Sequence, residues 1–222
     1  ALTFLYIAWR LPKVPSGGGF SPKKLPELLR HKGIMGLYLF TLLISSAIYV
    51  AYSYIEPFLK QVSLMPDDWV TTALMVFGGA GLLGSIAFSK YYNRNRKLFI
   101  TVNVAAMALC LLLLHPVSSG FLPVIVLLAV WGATATAYNV AMQSNMILVT
   151  TPESTPVAMS IFSGIFNLGI GSGAFFGGAI CSDLSISYIG LAGGVLALIG
   201  VVYWVARLGN RIEPKDTLDK YL

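Results

Sequence analysis

Charge is what this sequence most lacks. Asp, Glu, Lys and Arg together supply 11% of its 222 residues, about half the share in a soluble domain of ordinary composition. Hydrophobic residues fill 56% instead, more apolar surface than one small core can hide from water. That balance excludes a soluble globular domain and fits a chain dissolved in lipid. Cysteine and histidine are nearly absent, with two of each. Cys110 and Cys181 lie in separate apolar segments without Cys-x-x-Cys spacing or a neighbouring His. A zinc site and a disulfide framework are therefore unsupported, and both read as small buried apolar side chains. His31 falls in a polar connector and His115 beside Pro116 at a helix end. No Ser/His/Asp set or carboxylate pair can be assembled at a shared depth. Proteolysis and metal catalysis thus have no candidate residues, and no enzyme is expected. The chain is rich in glycine, yet the glycine series sits inside an apolar helix with no preceding strand and no Lys-Ser/Thr ending, so it is not a phosphate loop.

What is present is a succession of long apolar runs. Crossing the hydrocarbon takes about 20 apolar residues in a helix rising about 1.5 Å per residue. Six stretches fit, at about 34–56 (stopped by Pro57), 69–88, 98–114 (stopped by Pro116), 122–149, 158–181 and 186–208. They are too long and too uniformly apolar to alternate as barrel strands. The expected class is therefore an all-α membrane protein, a six-transmembrane-helix bundle over 34–208. Residues 1–9 read as the tail of a preceding transmembrane helix, since neither a basic start nor a small-residue cleavage site marks a signal peptide. Residues 10–33 form a Pro/Gly-rich connector with at most a short amphipathic helix near Leu25 and Leu29, and 209–222 form a polar tail.

The net charge of +6 does not indicate nucleic acid, because the basic residues lie between apolar runs rather than along one stripe. They instead orient the bundle. Arg10, Lys13, Lys23, Lys24, Arg30 and Lys32 precede the first span. Lys90, Arg94, Arg96 and Lys97 separate the second and third, and Arg207, Arg211, Lys215 and Lys220 follow the sixth. Six crossings put all of these on one side and leave Lys60 alone on the other. Both ends are therefore expected in the cytoplasm.

Polar side chains within spans are costly and need a reason. In the first span Ser45, Tyr49, Tyr52 and Glu56 share one helical face, flanked by Ser46 and Ser53. They read as a cavity wall or as interhelical bonding, and Glu56 as a proton carrier or as a carboxylate at the outer water boundary. Thr136, Asn139 and Gln143 share a face of the fourth span near Trp131 and Tyr138. They suit either a polar ligand or helix-to-helix bonding. In the fifth span Gly169, Gly173 and Gly177 recur every fourth residue, a pattern for close helix packing, while Ser160, Ser163, Asn167 and Gly171 form a second, solute-facing stripe.

The sequence Trp131-Gly132-Ala133, with Gln143, Thr151-Pro152-Glu153, Val157-Ala158-Met159 and the fifth-span glycine run, resembles exporters of the major facilitator superfamily. The similarity is to the drug:proton antiporter group, and within it most to bacterial sugar efflux transporters that export arabinose and isopropyl-thiogalactoside. The stretch from Tyr52 through Glu56, Pro57 and Leu59 resembles their seventh helix, and the likeness runs from Ile34 onward. It implies the C-terminal half of a twelve-helix fold in the cell inner membrane, partnered by an N-terminal six-helix half and by the lipid bilayer. It also implies alternating access for a small-molecule solute, with the proton as coupling ion, no resident cofactor and no nucleic acid. Ser45, Tyr49, Tyr52, Glu56, Thr136, Asn139, Gln143, Ser163 and Asn167 are the candidate solute-binding residues. Nucleosides and hydrophobic drugs are the alternative solutes, and a non-transport membrane subunit the alternative role. One departure concerns the Gly-x-x-x-Asp-Arg cytoplasmic motif of such proteins, since Ser89-Lys90 stand where Asp-Arg is expected.

Single cysteines at Arg94 and Lys220 should react with an impermeant maleimide from the same side of the membrane. Labelling from opposite sides would remove the even number of crossings.

Overall fold

The computed structural model describes residues 25–209. Residues 1–9, the connector as far as residue 24 and the tail beyond Gly209 lie outside the described residues. A short helix α1, Leu25–Arg30, leads into α2, Lys32–Tyr52, and α3, Ile55–Gln61. Four long helices follow: α4, Asp67–Tyr91; α5, Arg96–Leu113; α6, Phe121–Leu148; and α7, Thr155–Asp183. A 3-10 turn, Ile186–Tyr188, opens the last crossing, made by α8, Ile189–Tyr203, and a π turn, Trp204–Leu208. The described residues contain no strand. Among the described residues, six helical stretches are long and apolar enough to cross a membrane.

Helix ends follow local chemistry. His31 caps α2, its Nδ1 accepting from the Ile34 N–H at 3.3 Å. Asn95 caps α5 through Oδ1 and the Leu98 N–H at 2.9 Å, in both cases occupying one of the amides that a helix start leaves unpaired. The first crossing departs from expectation. Pro57 does not end it; the helix breaks one turn earlier, at Ser53 and Tyr54, and resumes through the proline as α3. Proline lacks the N–H that would bond the carbonyl four residues back and its ring crowds that carbonyl, so the break falls around Ser53.

Lipid offers helices no hydrophobic reason to associate, so close packing has to hold them. Two parallel pairs achieve it at glycines. In α4/α6, a Cβ on Gly84 would collide with the Ala133 carbonyl, and one on Gly132 with the Phe77 carbonyl. In α2/α7, Gly173 faces the Ser46 carbonyl, Gly177 the Val50 carbonyl and Gly169 the Ser45 side chain. Along that pair Tyr38 Oη donates to the Ala158 carbonyl and Tyr54 Oη to the Ala174 carbonyl, both at 3.0 Å, while Ser46 and Ser172 hydroxyls bond at 2.9 Å. Helices α8 and α5 complete the bundle, α8 packing antiparallel on α2 and α5, and α5 on α6. Trp204 ties the end of α8 to the start of α5, its Nε1–H donating to Thr101 Oγ1 at 3.1 Å. Leu82 and Phe175, 71% and 73% exposed, are two of many large apolar side chains pointing outward, which only a lipid surround makes tolerable.

These contacts sort most of the described charges by end, Glu153 lying with the cations in the turn between α6 and α7. Lys90, Arg94, Arg96, Lys97 and Arg207 gather where the ends of α4, α6 and α8 meet the starts of α2, α5 and α7. Glu56, Asp67, Asp68 and Asp183 gather at the other end with Lys60.

Gly132→Val should separate α4 from α6 and cost about 2–3 kcal/mol, the usual scale of overpacking, read as lost thermal stability in detergent. Gly164→Ala, at a glycine with nothing within 4 Å, should be neutral in the same assay.

Candidate functional site

The two glycine-joined pairs leave a gap between them. Helices α2 and α4 make almost no backbone contact with each other, and a cleft of about 270 Å³ opens along this line. Its walls come from Ile48, Tyr49 and Tyr52 of α2, Phe77 and Gly78 of α4, Gly132, Ala135, Thr136, Tyr138, Asn139 and Val140 of α6, and Phe166 of α7. All of these lie within spans.

Aromatic rings dominate one side. Tyr52 stacks on Phe77 with centroids 5.0 Å apart and meets Trp131 edge-on at 6.2 Å. Tyr49 meets Tyr52 at 5.6 Å and Phe166 at 6.3 Å, both edge-on. Trp131 is fully buried and its Nε1–H has no acceptor among the described residues. Hydrogen-bonding groups form the other side. Gln143 Nε2 donates to Asn139 Oδ1 one turn away, which orients Asn139 and leaves its amide N–H groups for a ligand in the cleft. Thr136 fills the notch at Gly81, where a Cβ would lie 2.7 Å from its Oγ1. No carboxylate, amine or imidazole lines the cleft. Such a lining suits an uncharged molecule with flat apolar faces and peripheral polar groups.

The structure thus brings together Tyr49, Tyr52, Thr136 and Asn139, with Gln143 bonded behind Asn139. It does not add Ser45, which is fully buried against Gly169 and donates to the Thr41 carbonyl of its own helix at 2.6 Å. Nor does it add Glu56, which lies at the acidic end and pairs with Lys60 at 3.0 Å. Ser163 and Asn167 sit on an exposed strip of α7 together with Ser160 and Gly171, Asn167 Nδ2 donating to the Ser163 carbonyl at 2.8 Å. Sequence reasoning missed Phe77 and Phe166, which look like any lipid-facing phenylalanine until their helices are placed. It also missed a polar tie at the basic end, where Tyr92 Oη donates to Oδ1 of the buried Asn145 at 2.9 Å. Burial pushes the Tyr92 phenol up to about 12, against the opposing charge of Arg96, so this donor keeps its proton throughout the physiological range. Its only forewarning was one more amide side chain on the helix that carries Asn139 and Gln143.

Cysteine at Asn139 should react with a small water-soluble thiol reagent at least tenfold faster than cysteine at Ser45. Equal rates would mean that the cleft is closed to water. In comparison with known families, the model of the Major Facilitator Superfamily fits residues 95–220, more than half of the chain.

Proposed function

Since the chain belongs to the Major Facilitator Superfamily, whose members are transporters, we propose that it supplies one six-helix half of an exporter that moves small sugars, or sugar-like neutral solutes, out of the cell in exchange for protons. The supporting observation is the uncharged cleft in which Tyr49, Tyr52 and Phe77 stand opposite Thr136 and Asn139. A sugar has C–H faces that lie on aromatic rings and hydroxyls that bond amides and alcohols. A permanently charged solute would meet no opposite charge there, and its desolvation would go uncompensated. Orientation follows from the segregated cations: the end with Lys90, Arg94, Arg96, Lys97 and Arg207 faces the cytoplasm, and the end with Lys60 faces outward, in the inner membrane of the cell. The solute pathway of such folds lies between two bundles, so a second six-helix half is the expected partner and this half alone should transport poorly. Ser163 and Asn167, exposed on α7, belong to the wall that this partner half would complete. No cofactor is needed.

Cells loaded with radiolabelled arabinose should lose it faster when the full-length protein is present, and an uncoupler that collapses the proton gradient should abolish the difference. Asn139→Ala should weaken apparent affinity about tenfold, the loss of one or two hydrogen bonds. Efflux of a cationic dye without efflux of arabinose would reject the sugar reading.

A further inference from the structure

A threonine hydroxyl inside a membrane helix has a partner at hand, the carbonyl one turn back on its own helix. Thr101, Thr134 and Thr150 use it, each at 2.8 Å. Thr41 and Thr136 do not, and neither hydroxyl has another partner among the described residues. Thr136 opens into the cleft. Thr41 is fully buried on α2, two turns from the cleft-lining Ile48 toward the basic end, and stands beside the phenol of Tyr138 on α6. Tyr138 lines the cleft, yet its hydroxyl is sealed from solvent and, like that of Thr41, makes no hydrogen bond among the described residues. Two unpaired hydroxyls therefore meet in the apolar interior at the inner end of the cleft, where an unpaired hydroxyl is costly.

We infer that Thr41 and Tyr138 form a subsite of the cleft that takes one hydroxyl group of a neutral, hydroxylated solute. A hydroxyl donates and accepts at once, so a single guest between the two completes both. Their place in the bundle lets a guest enter. Helix α2 is built into its pair with α7, and α6 into its pair with α4, whereas α2 and α6 touch each other sparsely. A guest wedged between them parts the two pairs and breaks neither. Ser45 donates to the Thr41 carbonyl at 2.6 Å, which engages the Thr41 backbone and leaves its hydroxyl free. Tyr138 meets Phe40 edge-on with centroids 5.9 Å apart, so the phenol is held by its ring and not by its oxygen. The cost of the unpaired hydroxyls is removed by occupancy, and only a solute that brings a hydroxyl to this point removes it. Such a site discriminates strongly against analogues that lack the group.

The subsite rests on the transport reading, and its test has one arm that needs no solute. In the purified full-length protein, Thr41→Val and Tyr138→Phe each keep the side chain's shape and remove one hydroxyl. Loss of an unpaired buried hydroxyl should raise the thermal midpoint by about 2–4 °C in each variant, and the double variant should show the sum. A fall in either single variant means that the hydroxyls are bonded, to each other or through water, and overturns the proposal. In the second arm, equilibrium binding of radiolabelled arabinose should weaken about tenfold in each variant, the loss of one hydrogen bond. Thr41→Ser, which keeps the hydroxyl, should retain the parental affinity. Parental affinity in both Thr41→Val and Tyr138→Phe overturns the subsite and leaves the sugar reading standing. If the parent itself binds no arabinose, the sugar reading falls instead. The thermal shifts then decide the subsite alone, a rise retaining it for another hydroxylated solute.

Discussion

The bundle depends on backbone meeting backbone at glycine. Lipid tails solvate leucine as well as another leucine does, so apolar burial does little to hold two membrane helices together. Contact at the closest possible distance takes its place. Gly84 and Gly132 bring α4 against α6, and Gly169, Gly173 and Gly177 bring α2 against α7. At several of these positions even a methyl group would collide with a carbonyl of the facing helix, so the spacing of the two pairs is set by main chain rather than by adaptable side chains. Tyr38 and Tyr54, bonded to carbonyls sixteen residues apart on α7, fix the lengthwise register of the second pair.

The cleft is what these two pairs leave over. Because α2 and α4 carry bulky side chains where they face one another, they stand apart, and Tyr49, Tyr52 and Phe77 project into the space. The ring cluster and the Asn139–Gln143 amides give the cleft recognition chemistry without any full charge, which the hydrocarbon depth would make costly. Charge is confined to the two ends, where water reaches it, and the break before Pro57 separates an inner segment built into the α7 pair from an outer segment held chiefly by Phe58, Leu59 and one ion pair.

Fold class was legible because run length and charge placement are one-dimensional signals: six apolar stretches interrupted by polar turns can hardly be anything but crossings. Facing direction was less legible. The stripe of Ser45, Tyr49, Tyr52 and Glu56 is real as a helical face, yet it divides into three environments. Ser45 lies on the glycine side of α7, the tyrosines on the cleft, and Glu56 beyond a break that turns the helix. Periodicity assumes one straight rod and one neighbour, and neither assumption holds there. Thr136 and Asn139 fared better because α6 runs unbroken past the cleft. Phe77, Phe166 and Asn145 gave too little signal, since what distinguishes them is the helix opposite, which no local pattern encodes.

The even number of crossings has a consequence for how such a unit can be joined to others. A bundle that begins and ends on one face can be concatenated in frame with another of its kind, neither being turned upside down. The two would then be related by an axis along the membrane normal. An odd-numbered unit joined in the same way would invert its follower and carry the basic turn of Arg94 and Arg96 to the opposite leaflet.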